Sequence, residues 1–572
     1  MRSACQEFLK KLRSGALLLS VCLLITISGC RQEPPAAAIA SAHPLATQAG
    51  MDIIAAGGNA FDAAVTVSAV LAVVEPYSSG LGGGGFWLLH RGGDGFETLV
   101  DGRERAPLAA SRDMFLDTNG VVEPDLSLTG ALAAGIPGEV AALVHIAAQY
   151  GRLPLSRTLE PAIRLARDGF VVDERYRRLA RFRLASMQKD TETVRIFLQN
   201  DTVPQLGYRL RQPELAETLD DIAREGEAGF YGGRVARQLV EGVRRNGGLW
   251  TLKDLADYEV IERRPVSGNF RGLRVTSAGP PSSGGVALLT MLNVLSGLPL
   301  DEADAVTRTH LVIEAMRRAY RDRALYLGDP DFVSVPVATL TGAAHAAALR
   351  AGIRPDRATP SAALGAATPV SQGTDTTHFS VLDREGNRVA ATLSINTPFG
   401  ACLTPPGTGV LLNDEMDDFA VKPGAPNAYG LVGGEANAVA PGKRPLSSMT
   451  PTFVENANGV AILGTPGGSR IITMVLLAVL DMAEGNRPQS WVSRPRFHHQ
   501  YLPDEVQYEP GAFDASLIEG LTARGHRLKA LDSPYGNMQA IYWDKKDRRV
   551  YAASDPRGIG AAQVFPPGPS GD

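Results

Sequence analysis

Cysteine is scarce in this sequence. Four occur in 572 residues, Cys5, Cys22, Cys30 and Cys402, and three of these fall within the first thirty positions. Cys402 is then left without a partner, which excludes a disulfide framework even in an oxidising compartment. It reads as a small buried hydrophobe. Basic excess is missing too: 57 Lys and Arg face 61 Asp and Glu, a net charge of −4, so neither nucleic acid nor an anionic membrane surface is implied. Signatures of phosphate and metal are incomplete. Gly80–Gly85 is glycine-rich but lacks the Lys-Ser/Thr ending of a phosphate loop and the acidic partner of a dinucleotide fingerprint. Asp417-Asp418 lacks the regular oxygen spacing of a calcium loop, nothing beside it marks a sugar site, and His498-His499 has no ligand spacing and no accompanying cysteine. No metal or organic cofactor is implied, and no internal repeat stands out.

What is present is an ordinary globular composition, 44% hydrophobic and 21% charged. The length allows about four domains by a crude rule, but helical and strand patterns alternate without a clear polar break, favouring one large α/β unit. At the N-terminus, Lys10, Lys11 and Arg13 precede an apolar run, Ala16–Ile27, which ends in Ile27-Ser28-Gly29-Cys30. A run of roughly 12 residues has signal-peptide length and is too short to span a bilayer. Small residues before a cysteine resemble the bacterial lipoprotein box. Residues 1–29 would then be removed and Cys30 lipidated, giving an exported protein on the periplasmic side, membrane-associated only through lipid. Plain secretion after cleavage elsewhere, or an uncleaved anchor, remain open alternatives.

Along the chain, Ala40–Pro76 reads as two helical runs split by Gly57-Gly58-Asn59. Strands are expected at Phe86–His90 and Thr98–Asp101, and again near Leu273–Ala278, Thr452–Leu463, Met538–Trp543 and Val550–Ala553. Helices are expected near Gly138–Tyr150, Leu159–Asp168, Leu215–Glu225, Arg234–Asn246, Arg308–Tyr326 and from Gly468 through Met482. A weakly structured Ala/Pro/Gly/Ser tract runs roughly from Thr341 to Gly373.

After that tract comes Thr374-Asp375-Thr376-Thr377-His378-Phe379-Ser380, the start of a strand–turn–strand pattern that continues to Ile395. A threonine hydroxyl is a weak nucleophile unless a base takes its proton. An α-amino group titrates at about 7.7–8.0 and can be that base. Cleavage between Asp375 and Thr376 would therefore place nucleophile and base on one residue. Taken alone, the segment reads better as an ordinary Thr-rich strand start, since β-branched residues suit strands.

The remaining blocks carry a wider likeness. Thr376–Ser380, Asn396-Thr397-Pro398-Phe399-Gly400, Leu411–Phe419, Lys443–Met449 and Gly464-Thr465-Pro466-Gly467-Gly468-Ser469-Arg470 resemble the small subunit of the γ-glutamyltransferases, N-terminal-nucleophile hydrolases. Upstream, His43–Thr47, Gly57–Ala60, Ser79–Phe86, Arg103–Pro107, Pro280–Gly285 and Tyr326–Pro330 fit the same family, so the likeness spans roughly Ala40 to Arg557. Many ordered blocks together are specific where one would be weak.

The resemblance implies a four-layer αββα sandwich formed jointly by a large subunit, 30–375 with a flexible 341–375 tract, and a small catalytic subunit, 376–572, in an obligate heterodimer. It implies that Thr376 attacks glutathione and other γ-glutamyl amides, and that water or an amino acid or peptide accepts the glutamyl group. Arg103 would grip the substrate α-carboxylate, since a guanidinium fork matches carboxylate geometry, with Ser447 and Ser448 as added donors. Asp418, Glu415 and Asn396 would receive the α-ammonium. Gly467 and Gly468 would form the oxyanion hole, and Thr377 and Ser394 would face the nucleophile and assist it. Ser394 replaces the threonine usual in bacterial relatives, so slower processing with retained activity is expected. Lys422–Glu435, with Tyr429, would be a cover over the site. His378, on the opposite strand face from Thr377, is expected to be structural. Two alternatives stay open: an acylase of the same superfamily acting on glutaryl-cephalosporin side chains, and a non-catalytic peptide-binding lipoprotein.

Overall fold

The computed structural model describes residues 32–365, 376–420 and 434–565. Cys30, Asp375 and Tyr429, and with them the expected signal segment and most of the expected cover, lie outside the described residues.

Two antiparallel sheets form the centre. In chain order their strands are β1 (Ala38–Ser41), β2 (Gly84–His90), β3 (Glu97–Gly102), β4 (Ile261–Arg263), β5 (Val266–Phe270), β6 (Leu273–Ser277), β7 (Thr377–Leu382), β8 (Arg388–Ser394), β9 (Thr452–Asn456), β10 (Gly459–Gly464), β11 (Gln539–Asp544), β12 (Arg549–Ser554) and β13 (Ala561–Val564). The first sheet has seven strands in the order β13-β1-β7-β8-β2-β3-β4; the second has six, β12-β11-β10-β9-β6-β5.

Period-two alternation sorts the side chains into layers. In β2, Phe86 and Leu88 turn toward the second sheet, where they meet Phe453, Ile462 and Ile541. Trp87 and Leu89 turn the other way, onto a helical layer that includes α1 (Pro44–Ala55), α2 (Ala60–Val74), α3 (Glu139–Tyr150) and α4 (Leu155–Asp168). The second sheet is covered on its outer face by α5 (Gly284–Leu295), α6 (Ala305–Tyr326) and α8 (Arg470–Ala483). The result is the αββα sandwich that the resemblance implies. Each fully buried Leu, Ile or Phe in these layers contributes roughly 1.5–3 kcal/mol of transfer free energy.

Several elements differ from the sequence reading. Ala38–Ser41, low in β-formers, is a strand because it is held on both sides, by β7 and by β13. The single run expected over Thr452–Leu463 is a hairpin, β9 and β10. Gly284-Gly285 open helix α5, where the two glycines gave no helical signal. The tract after Thr341 is not weakly structured in its described part. It holds α7 (Ala343–Ala351) and a 3-10 turn at Ser361–Leu364. Thr359 and Ser361 bond Glu314 and Arg317 of α6, the Ser361 N–H donates to Asp504, and Tyr501 donates to the Gly365 carbonyl. Ala and Pro composition signalled looseness; a cluster of buried charges from elsewhere supplies the order.

The sheets approach closely at one point. The His378 ring of β7 accepts or donates a 2.8 Å bond with the Thr392 hydroxyl and lies on Gly464 of β10. Burial pushes its imidazole down to about 3, so it is neutral. A Cβ on Gly464 would stand 2.3 Å from the ring. Gly464→Ala is therefore expected to destabilise the fold by roughly 1–3 kcal/mol, the usual cost of overpacking. Gly93→Ala, where nothing lies within 4 Å of the added carbon, should be near neutral. Urea unfolding of both variants checks this, and equal midpoints would contradict the packing described.

Candidate active site

Thr376 immediately precedes β7, and strand alternation decides where its neighbours point. Phe379 and Val381 enter the core under the helices, while Leu382 enters the core between the sheets. Thr377 has the parity of Phe379, and Thr376 that of His378. The Thr377 hydroxyl accordingly donates a 2.8 Å bond to Glu75 Oε2, at the C-terminal end of α2, and Tyr77 donates to the same carboxylate. The expectation that Thr377 faces the nucleophile meets the opposite geometry. Ser394, at the end of β8, does lie with Thr376, their hydroxyls 3.5 Å apart. The Asn396 N–H donates to Ser394 Oγ at 2.8 Å, which occupies one lone pair and leaves its proton for another acceptor.

Thr376 lines a small cavity of about 20 Å³ together with Arg103, Ser394, Asn396, Glu415, Asp418, Ser447, Ser448 and Gly468. The sequence-expected residues thus converge, except Thr377 and the undescribed Tyr429 and Asp375; Gly467 sits one residue behind the wall. Met449, Ser469 and Ile471 complete the lining and were not anticipated. Gly467 and Gly468 adopt φ of 135° and 55°, backbone that glycine reaches without strain. They carry the chain into α8, whose first N–H groups, of Arg470 and Ile471, bond back to their carbonyls.

Arg103 is fully buried rather than a surface residue. It follows β3, its N–H is held by Asp101, and its carbonyl accepts from the Tyr258 hydroxyl. Its guanidinium bonds Glu415 and, at 2.5 Å, Asp418. The cation and the anions expected to serve opposite ends of a zwitterion hold each other here. A cavity of this volume has room for about one water.

Further acids lie beneath. Glu104 stands 3.5 Å from Arg103 and makes no hydrogen bond through either carboxyl oxygen. Burial pushes its carboxyl up to about 8, so it keeps a proton at neutral pH. Glu139, at the start of α3, is raised well above the carboxylate range by burial and by Glu104. Burial opposes the charge on Arg103, and the acids around it, Glu415 foremost, more than offset that effect and hold it charged. A second buried cation, Arg323 of α6, also faces Asp418 and bonds Ser448. Burial also raises Glu415 well above the ordinary carboxylate range and raises Asp418, with Arg103 opposing both shifts. Sequence reading did not single out Arg323, which sits in a helix carrying five arginines between 308 and 323.

A group with metal-ligand potential lies elsewhere: His310, Glu314 and His526. Its geometry argues against a metal. The Glu314 carboxylate is taken by Arg317, Arg318 and Thr359, and His310 and His526 bond each other at 2.7 Å. Two guanidinium charges beside the carboxylate oppose a further cation. His498 and His499 bond Thr473 and Asp504, as expected of structural histidines. Cys402 is buried, its thiol pushed up to about 11 and therefore unreactive.

Comparison with known proteins gives a consistent set of likenesses. Residues 46–565 match the family described as gamma-glutamyltranspeptidase. The chain is 43% identical over 531 residues to a glutathione hydrolase proenzyme of Escherichia coli (strain K12), covering 91% of this chain and 90% of that one. It is 35% identical over 546 residues to that of Bacillus subtilis (strain 168), covering 92% and 90%. Among solved structures, a cephalosporin acylase from Bacillus halodurans aligns with TM-score 0.82 at 28% identity, over 93% of this chain and 96% of that one. The gamma-glutamyltranspeptidase of Helicobacter pylori aligns with TM-score 0.55 at 41% identity, over 56% and 93%.

The neutral Glu104 has a measurable consequence. Its folded value, about 8, lies above the ordinary 4.5. The unfolded chain therefore releases this proton first as pH rises, and the stability Glu104 contributes in acid is lost between about pH 4.5 and 8. Glu104→Gln should remove one proton's share of that slope, at most about 1.4 kcal/mol per pH unit. Denaturant unfolding of wild type and variant at pH 5 and pH 8 reads the difference; parallel losses would show Glu104 ionised in the fold.

Proposed function

This chain belongs to the gamma-glutamyltranspeptidase family, and we propose that Thr376 is the N-terminal nucleophile with which it acts as a γ-glutamyltransferase and glutathione hydrolase. The observation that carries the assignment is the buried Arg103 bracketed by Glu415 and Asp418 in the cavity that Thr376 lines. A γ-glutamyl group presents a free α-carboxylate and a free α-ammonium several bonds from its scissile amide. A cation and acid carboxylates side by side, with a nucleophile at the cavity wall, match that layout.

In the precursor, the Thr376 hydroxyl attacks the Asp375 carbonyl and the C–N bond breaks, freeing the Thr376 amine as an ester forms; water then hydrolyses that ester, which frees the hydroxyl and separates the two chains. In turnover that amine takes the hydroxyl proton as Oγ1 attacks the γ-carbonyl, and returns a proton to the departing amine. Gly467 and Gly468 hold the developing oxyanion, each such donor contributing about 2.7–4 kcal/mol of barrier lowering. Water or an amino acid or peptide then takes the glutamyl group from Thr376. Ser394 steadies the nucleophile, while Thr377, bonded to Glu75, anchors the strand that carries it. No described step needs a metal or organic cofactor.

The two products of cleavage, 30–375 and 376–572, would form an obligate pair. The hairpin of β7 and β8 lies between β1 and β2 of the larger piece, and β9 pairs with β6. Separation would break ladders in both sheets. No helix among the described residues is long and apolar enough to cross a membrane. Membrane association would rest on lipid at Cys30 after export, and Cys30→Ala should move the protein from the membrane to the soluble periplasmic fraction; a variant that stays with the membrane would refute lipid anchoring at this residue.

The acylase reading is favoured by the structural likeness to a cephalosporin acylase. A glutaryl side chain has no α-amine, however, and would leave Asp418 and Glu415 without purpose. Wild type should cleave a γ-glutamyl anilide in preference to a glutaryl anilide, and silence on both would indicate a binding protein. Thr376→Ala should give one uncut band on gel electrophoresis and no turnover. N-terminal sequencing of the smaller wild-type band should begin at Thr376, and a cut Thr376→Ala product would sink the assignment.

A further inference from the structure

We propose that Arg323 is a positioning residue that sets the polarity of the substrate site, turning Ser447 and Ser448 into hydrogen-bond donors for the α-carboxylate of the γ-glutamyl group. The inference rests on the γ-glutamyl reading of the cavity and names how one end of it distinguishes carboxylate from ammonium.

Arg323 lies near the C-terminal end of α6, 4% exposed, behind the cavity wall. It does not line the cavity itself. Its Nη2 donates to Ser448 Oγ at 3.2 Å, and its Nε donates to Ser283 Oγ at 2.9 Å. Ser283, just before α5, passes the link on: its hydroxyl donates to the Ser447 carbonyl at 2.6 Å, and its N–H donates to the same carbonyl at 2.8 Å. The Met449 N–H in turn donates to Ser447 Oγ at 3.1 Å. One buried guanidinium therefore bonds the Ser448 hydroxyl directly and, through Ser283, holds the main-chain carbonyl of Ser447.

A serine hydroxyl has one proton and two lone pairs. In both serines a lone pair already accepts from a protein N–H, so the proton has to point away from that donor. Neither proton finds an acceptor among the described residues, and both serines line the cavity. Two O–H groups thus remain available to a ligand as donors. A carboxylate is acceptor-only and suits them; an ammonium carries only donors and does not. The positive charge behind them adds to the bias. Burial lowers the Arg323 guanidinium to about 10, still charged at neutral pH, with Asp418 supporting the charge. Asp418 and Glu415 line the same cavity with carboxyl oxygens. The two serine donors backed by Arg323, and the carboxyl oxygens of the acids, would orient a zwitterion in one direction, which places the γ-carbonyl against Thr376.

The test uses the full-length, self-processed protein and two anilides. One is γ-glutamyl anilide; the other is the 4-aminobutyryl anilide, which keeps the amine and lacks the α-carboxylate, read as a substrate or, where turnover is slow, as a competitive inhibitor. In Arg323→Gln, KM for the γ-glutamyl anilide should rise roughly tenfold or more, the range for losing hydrogen bonds to a charged group, while kcat changes little. The 4-aminobutyryl compound should be affected less than about threefold, because it never uses these donors. Ser448→Ala combined with Arg323→Gln should lose little more than the larger single loss, since both act on one contact. Ser283→Ala, which keeps the buried charge but cuts the link to Ser447, should raise the same KM by a smaller factor and serves where Arg323→Gln does not fold.

Equal losses on both anilides, or additive losses in the double variant, would make Arg323 a structural pin only and overturn the proposal. So would an unchanged KM for the γ-glutamyl anilide. If wild type itself ignores the γ-glutamyl anilide, the γ-glutamyl reading fails instead, and the two failures are told apart by that control.

Discussion

The hairpin of β7 and β8, hydrogen-bonded between β1 and β2, is the constraint on which the site depends. Its register places Ser394 at the end of one strand beside Thr376 at the start of the other. Tight glycine contacts make the register possible. A Cβ on Gly83 would stand 2.2 Å from the Ser394 carbonyl oxygen, and one on Gly85 would stand 2.5 Å from that of Thr392. The glycine-rich run at 80–85 is therefore close-packed backbone, and the phosphate-loop likeness ends there. Strand alternation then gives two adjacent threonines different work. Thr376 faces the cavity, and Thr377 faces Glu75 under the helices. A strand held on both edges and pinned from beneath gives a nucleophile a fixed position, which a loop would not.

Charge is the second organising element. Burying isolated carboxylates is costly, and the usual outcome is pairing or protonation. Both occur here within a few residues. Glu415 and Asp418 bond Arg103, and burial raises all four carboxyls, Glu104, Glu139, Glu415 and Asp418, toward the protonated form. Arg103 and the acids beside it offset one another's charge within the cavity wall. On the proposed γ-glutamyl reading, selectivity would come from leaving unmatched whichever site group a defective substrate fails to meet: the acids for a glutaryl group, and Arg103 for a 4-aminobutyryl group.

The same clustering of charge explains where composition misled. The 341–365 tract, rich in alanine, reads as a loose spacer, yet Thr359, Ser361 and Gly365 are bonded to Glu314, Arg317, Asp504 and Tyr501. Single polar residues set in a bland stretch carry little local signal. Their partners lie on a helix and a loop that no window of the sequence joins to them. Ala38–Ser41 shows the complementary case: weak strand formers become a strand because neighbours on both sides supply the ladder.

Local patterns were enough to establish the strand–turn–strand at Thr377–Ile395, most of the long helices and the absence of a disulfide framework. Ordered motifs from His43 to Arg470 were enough to assemble the family and its residues, Arg103, Asp418, Ser447, Ser448, Gly467 and Gly468 among them. These are properties of neighbouring residues or of motif order, and a linear reading retains them. Tertiary structure alone decided that Thr377 leaves the cavity for Glu75, that Arg103 is clasped by acids 312 and 315 positions away, and that Arg323 backs Ser448 from 125 positions away. The reason is physical. A hydrogen bond or ion pair depends on separation in space, and the folding of two sheets and their helices brings together side chains whose distance along the chain says nothing of their contact.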